Sequence, residues 1–199
     1  MNRMRLFLAG VGGQGTLTAT NLLSLTALDH DIDVCSGEIH GMAQRGGIVE
    51  STLLLGGYVS PRITSGEADI LLGFEPLETL RALHYLRPGG LIVGNLEPTY
   101  PVGVSTGQEI YPDLDFIQKR CRDCSTRSFF LPCKSLGAEA GTSRAANIVL
   151  LGALSARPES PFGLDDLKES VRRHLPEKIK AVNLKALDLG REALESAAP

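Results

Sequence analysis

"EADILLGFEPLETLRALHYLRPGGLIVGN", residues 67–95, carries the pattern that decides the fold. Its apolar run "DILLGF" (69–74) has the length and composition of a strand buried on both faces. Pro76 suits the first turn of a helix, where its missing N–H is not needed. Leu77, Leu80, Leu83 and Leu86 then recur on one side of that helix. "RPGG" (87–90) reads as the helix stop and "LIVGN" (91–95) as the next buried strand. Strand, helix and strand in this order make a β-α-β unit, which implies parallel strands joined by a right-handed crossover.

The same alternation extends in both directions. Upstream, "MRLFLAG" (4–10) reads as a strand, "TLTATNLLSLTAL" (16–28) as a helix, and "DIDVCSG" (31–37) and "GIVESTLLL" (47–55) as two more strands. "GYVSPRI" (57–63) is expected to return across a sheet edge, with Pro61 closing it. Downstream, "EPTYPVGVSTGQEIYPD" (97–113) is proline-rich and loop-like, with room for one short strand. "LDFIQKRCRDC" (114–124) predicts a helix, "RSFFLPC" (127–133) a strand, and "GTSRAANIVLLGALSA" (141–156) an apolar helix packed on the sheet or in an interface. "LDDLKESVRRHL" (164–175) and "PEKIKAVNLKALDLGREAL" (176–194) are amphipathic, the second with Ile179, Val182, Ala186, Leu189 and Ala193 on one face. The expectation is one domain over 1–199: α/β, three-layered and doubly wound, with a mostly parallel sheet and C-terminal helices.

Composition narrows the function classes. A net charge of −3 offers no basic footprint, and without tryptophan, at 5% aromatics, there is little to stack bases on, so nucleic acid is not an expected partner. "LFLAG" (6–10) is too short for a signal-peptide apolar region and no stretch approaches a membrane span, so the expected place is the cytoplasm, without a membrane partner. Cysteines in that compartment are expected as thiols. Cys121, Cys124 and Cys133 could in principle ligate zinc or an iron–sulfur cluster, but no second C-x-x-C accompanies them, and the simpler reading places them at a helix end and after a strand. No metal site is expected.

Two glycine-rich stretches carry the chemistry. "GVGGQG" (10–15) fits G-x-G-x-x-G through Gly10, Gly12 and Gly15, with Gly13 as an extra glycine, between an expected strand and an expected helix. Such a turn brings backbone N–H groups and a helix N-terminus close to an anion. Thr16 and Leu17 stand where a nucleoside-triphosphate loop needs lysine and then serine or threonine. A dinucleotide would also want a carboxylate ending the second strand, and neither Asp33 nor Glu38 is well placed for it. Tight strand-to-helix packing without any ligand remains the bland alternative.

"IHGMAQRGG" (39–47) puts His40, Gln44 and Arg45 among glycines that include Gly46 and Gly47. Arginine offers a planar fork of donors suited to carboxylate or phosphate. The loop, with Glu38 beside it, has three open readings: lining an active site or subunit interface, binding an anion directly, or pinning itself through an Arg45 ion pair with Glu38 or Glu50. His40 is the one candidate for proton transfer, because an ordinary histidine titrates near neutrality. Glu75, Arg144 and Asn147 are candidates for a supporting role. Glu75 follows a strand's C-terminal end, and Arg144 and Asn147 share one helical face.

Taken together, "LAGVGGQG", "EIHGMAQRGG", "EADILLGFEPLETLRAL", "YLRPGG" and "SRAANIVLLGAL" resemble the gamma-type subunit, or domain III, of the 2-oxoacid:ferredoxin oxidoreductases, and within them the branch acting on indolepyruvate. The resemblance runs over nearly the whole chain in unbroken motif order. It implies oxidative decarboxylation of a 2-oxo acid on thiamine diphosphate, electron transfer through iron–sulfur clusters to ferredoxin, and release of the acyl group as a coenzyme A thioester. It also implies a larger partner subunit that holds the thiamine diphosphate, magnesium and clusters. This chain has neither a GDG segment nor a C-x-x-C-x-x-C run of its own. Coenzyme A would then be a co-substrate, and no cofactor is assigned to this chain alone. Self-association remains open. The competing expectation is a stand-alone nucleotide-binding protein or NAD(P)-dependent dehydrogenase, resting on the glycine turn only.

Overall fold

A computed structural model describes residues 3–40, 47–100, 104, 106–108, 110–125 and 127–197. The central unit forms as β4 (Ala68–Gly73), α2 (Pro76–Ala82) and β5 (Leu86–Asn95), and β4 and β5 are parallel. The helix is shorter than the leucine spacing suggests. A single 3-10 turn at Leu83–Tyr85 ends it, and "RPGG" is not a helix stop but the first part of β5. The reason lies in the register: Leu86 already pairs with Ala68, and the extra residues are absorbed as an irregularity before Leu91 meets Ile70.

Before this unit come β1 (Met4–Val11), α1 (Thr16–Asp29), β2 (Val34–His40) and β3 (Ile48–Leu55). The sheet order is β2-β3-β1-β4-β5-β6, with β6 at Ser128–Leu131. β1, β4, β5 and β6 are mutually parallel, and β3 alone is reversed, antiparallel to both β1 and β2. The mostly parallel expectation holds for strand direction, yet the sheet is mixed because a β2–β3 hairpin occupies one flank. Residues 58–64 add no strand. They run as coil, anchored where Thr52 Oγ1 donates to Pro61 O at 2.7 Å.

Helices cover both faces, as three layers require. Alternation along the strands sends Leu6, Leu8, Leu53, Ile70, Leu72 and Val93 into one core, against α1, α5 (Ala146–Ser155), α6 (Leu164–His174) and α7 (Glu177–Ala197). Phe7, Ala9, Leu54, Leu71 and Ile92 enter the other, against α2 and α3 (Leu114–Cys124). α5 is buried from Asn147 to Ser155 because α7 lies directly over it. Gly152 and Gly190 make this approach possible, since a Cβ at either position would overlap the backbone of the opposite helix. The buried stripe of α7 therefore centres on Asn183, Ala186, Leu187, Gly190 and Leu194, about one residue round from the expected face, and Ile179 stands exposed. One helix, α4 (Cys133–Ala140), was not expected. No helix among the described residues is long and apolar enough to cross a membrane.

Candidate functional site

A cavity of about 290 Å³ opens at the carboxyl ends of β1, β4 and β5, where parallel sheets usually bind ligands. Its floor begins with the glycine turn. β1 ends at Val11, and the chain reverses through Gly13 (φ 98°) and Gly15 (φ 79°) into α1. Both glycines lie in the left-handed region that disfavours side chains. Gly15 is doubly constrained: an added Cβ would sit 2.5 Å from Asn147 Nδ2, which donates to Gly15 O at 3.2 Å. Gln14 folds back so that its Oε1 accepts from Val11 N at 2.9 Å, while its Nε2 donates to Thr99 Oγ1 at 3.1 Å.

The far wall is built by the loop after β5 and the start of α4. Asn95, only 2% exposed, clasps the two: its Oδ1 accepts from Cys133 N and Glu97 N, and its Nδ2 donates to Phe74 O and Glu97 O. Glu97 accepts from Lys134 N, Ser135 N and Ser135 Oγ, so a carboxylate already occupies the N-terminus of α4. Lys134 turns its Nζ to Pro98 O (2.6 Å) and Thr99 Oγ1 (2.8 Å), leaving the third ammonium proton for the cavity it lines. Arg144 lines the same cavity and a second one of about 440 Å³ beside Gly15, and its guanidinium has no partner among the described residues.

The electrostatics are uneven in a way that matters. Glu75 accepts from Glu78 N at the start of α2, Asp113 from Asp115 N at the start of α3, and Glu97 serves α4. α1 has no side-chain cap and no acidic residue in its first turn. Thr16 Oγ1, in that turn and 2% exposed, has no hydrogen-bond partner among the described residues. An uncapped helix N-terminus carries roughly half a positive charge, and Lys134 and Arg144 add two whole ones. The turn and these two side chains give the cavity a positive character.

Of the residues expected from sequence, Gly12, Gly13, Arg144 and Asn147 line this cavity, while Gly10 and Gly15 shape the turn from behind. Gly47 touches it from the flank, because Gly12 N donates to Gly47 O at 2.9 Å. Gln44, Arg45 and Gly46 lie outside the described residues. His40 closes β2 opposite Val49, and its side chain also lies outside them. Glu38 lines a different cavity, about 620 Å³, on the sheet face that carries Phe7. Glu75 stands behind the cavity wall: 1% exposed, it caps α2 and accepts from the amide of Thr99, which lines the cavity (3.2 Å), and from Tyr111 OH (2.5 Å). Lys134, Thr99 and Gln14 were not singled out in the sequence. Thr99 and Lys134 each lie just past a strand's carboxyl end, and that position was the available signal.

The cysteines separate. Cys121 is packed into the α3 core and burial pushes its thiol up to about 12, whereas Cys133 lies in the core on the other side of the sheet, its thiol also raised by burial. Cys124 is exposed at the end of α3. With a sheet between two of them, the three cannot share one ion, and no group of three or more metal-binding side chains gathers among the described residues. The dinucleotide expectation also meets an obstacle. The strand beside β1 on that flank is β3, running backwards, so no neighbouring strand ends there with a carboxylate for a ribose.

Comparison with known proteins places this geometry. Residues 5–193 match the family model described as pyruvate ferredoxin/flavodoxin oxidoreductase. The chain is 40% identical, over 97% of its length and 96% of the relative's, to indolepyruvate oxidoreductase subunit IorB of Pyrococcus horikoshii. Its fold is similar to pyruvate oxidoreductase subunit PORC of Thermotoga maritima, with a TM-score of 0.70, 16% identity and 97% of both chains covered. It is likewise similar to 2-oxoglutarate:ferredoxin oxidoreductase from Magnetococcus marinus, solved with 2-oxoglutarate, coenzyme A and succinyl-CoA (TM-score 0.69, 20% identity). That match covers 98% of this chain and 32% of the other.

Proposed function

The chain belongs to the pyruvate ferredoxin/flavodoxin oxidoreductase family, and from that membership we infer that it is the small subunit of a 2-oxoacid:ferredoxin oxidoreductase of the indolepyruvate type. Such an enzyme decarboxylates an arylpyruvate, reduces ferredoxin and releases the acyl group as a coenzyme A thioester. Thiamine diphosphate with magnesium would supply the decarboxylation chemistry and iron–sulfur clusters the electron path, and we assign both to a larger partner. The buried thiols of Cys121 and Cys133 face opposite sides of the sheet and do not fit a shared cluster.

The part we assign to this chain is to hold the phosphate end of coenzyme A. The observation that carries this is the glycine turn leading into the uncapped α1, which lines one cavity together with Lys134 and Arg144. In the proposed reaction coenzyme A brings phosphates that lie far from its thiol, so they can be held here while the thiol reaches a reacting centre in the partner. The turn amides and Arg144 bind the anion, Asn147 keeps Gly15 in place, and Lys134 stays poised through Thr99. The test is steady-state kinetics of the complex. Arg144→Ala removes one charge-assisted hydrogen bond, worth about 1.5–3 kcal/mol, and should raise KM for coenzyme A roughly 10- to 100-fold with KM for the 2-oxo acid unchanged. An unchanged coenzyme A dependence refutes the assignment.

A further inference from the structure

The mouth of the cavity and the opposite end of the sheet are surfaced differently. Nine large hydrophobic side chains stand exposed among the described residues, and only Leu28 and Val59 lie at the end away from the cavity. Ile39, 67% exposed, is next to last in β2, and Ile48 opens β3 beside Val11. Leu17 follows the glycine turn, and Ile179 lines the second cavity beside Gly15. On the far flank Tyr100 follows the Thr99 wall and meets Tyr111 edge-on at 5.1 Å, Ile110 adjoins Tyr111, and Phe116 projects from the first turn of α3. Single exposed apolar side chains need no explanation, but a ring of them around one polar crevice does.

The opposite end is finished against water by its own charges. Arg87 pairs with Asp69 at 2.7 Å, Arg127 with Glu159 at 2.7 Å, and Arg3 and Arg5 lie over the Tyr58 ring. We propose that the carboxyl end of the sheet, ringed by these apolar side chains, is the face on which the larger subunit sits, closing over the glycine-turn cavity. The proposal rests on the subunit reading above and adds the face. A polypeptide is the occupant the observations favour. In the Magnetococcus marinus protein a chain of similar fold is 32% of a longer polypeptide, so there this fold works joined to further protein. An apolar ring around a charged centre is also the pattern of an interface that encloses a shared polar ligand.

The experiment co-expresses tagged chain with the larger, thiamine-binding chain of its own complex. Ile39→Lys and Ile48→Lys probe the cavity end, and Leu28→Lys and Val59→Lys serve as exposed controls at the other end. All four change side chains already in solvent, and melting of each purified chain checks that folding is kept. The expected result is a roughly tenfold or greater fall in recovery of the larger chain for the first pair and wild-type recovery for the second. Wild-type recovery by the first pair, or equal loss by the controls, overturns the face. If the wild-type chain recovers only a second copy of itself and the first pair breaks that contact, the face is a self-contact and the proposal falls. If wild type recovers no larger chain at all, the subunit reading falls and takes this proposal with it.

Discussion

Glu75 offers the sharpest quantitative test, because its carboxylate ties three segments together in near-complete burial. Oε2 accepts from Glu78 N at 3.0 Å, and Oε1 accepts from Thr99 N at 3.2 Å and Tyr111 OH at 2.5 Å. The Tyr111 phenol is pushed well above its ordinary value, first by burial and then by this hydrogen bond, so it stays a donor at any ordinary pH. In Glu75→Ala the α2 cap is lost, at about 1 kcal/mol. Two hydrogen bonds to a charged acceptor go with it, at about 1.5–3 kcal/mol each. Against this, deleting the carboxylate removes several kcal/mol of desolvation cost. Thr99 is only half-buried and its freed amide can find water, which softens the loss further. The balance is a destabilisation of about 2–4 kcal/mol.

Glu75→Gln should cost less, about 1 kcal/mol, because its amide oxygen can serve Tyr111 and Thr99 while only the cap at Glu78 N is lost. Urea denaturation of the purified chain, followed by far-UV circular dichroism, gives these values from the shift in midpoint at constant slope. A double-mutant cycle with Tyr111→Phe then isolates the pair, and its coupling should reach about 1.5 kcal/mol or more. If Glu75→Ala loses less than about 1 kcal/mol, or the cycle closes within about 0.5 kcal/mol of zero, the carboxylate is not the tie described here. A role in holding ligand would then return to consideration.

Gly190→Ala sets helix propensity against packing: the methyl group favours the helical state by up to about 1 kcal/mol but overlaps Val149 O on α5. Overpacking against backbone should win and lower the urea midpoint by the equivalent of about 1–3 kcal/mol, and a raised midpoint would sink the close-approach argument. Glu78 has its carboxyl held above 4.5, by burial first, against the pull of Arg81, with Glu75 adding to the rise. A raised carboxyl binds its proton more tightly in the native state, so its stabilising contribution is complete below 4.5 and fades as pH rises through the elevated value. Glu78→Gln should therefore gain on wild type between pH 4.5 and neutrality, and parallel stability–pH curves would contradict the cause assigned.

Much of this fold is written in local patterns that a single chain displays. β1, β3, β4 and β5 are apolar runs with turn residues at their ends, and α5 and α7 announce themselves by composition and period. What escaped depends on contacts distant in sequence. α4 is eight residues of weak pattern, and it is held by Glu97 and Asn95 from more than thirty residues upstream. The face of α7 was misplaced by about one residue because its centre is a glycine, which scores as nothing in a hydrophobic pattern yet allows the closest helix contact. Lys134 was invisible for a related reason. A lysine one position into an unexpected helix reads as solvated, and only the fold brings it to Thr99 and the glycine turn.

The glycine turn itself was legible as a strand-to-helix turn, and the β2–β3 hairpin bears on which ligand would suit it. In a wholly parallel dinucleotide fold, the strand beside β1 ends at the turn and delivers the ribose carboxylate. Here the hairpin puts the backward strand β3 in that place, so the flank receives the start of a strand rather than its end. His40 closes β2 at that level, and Gly47, just before β3, returns directly onto Gly12. The topology therefore exchanges a ribose-reading carboxylate for the start of a reversed strand. That exchange favours a ligand held by its phosphates over one read at its sugar, as coenzyme A would be at this turn.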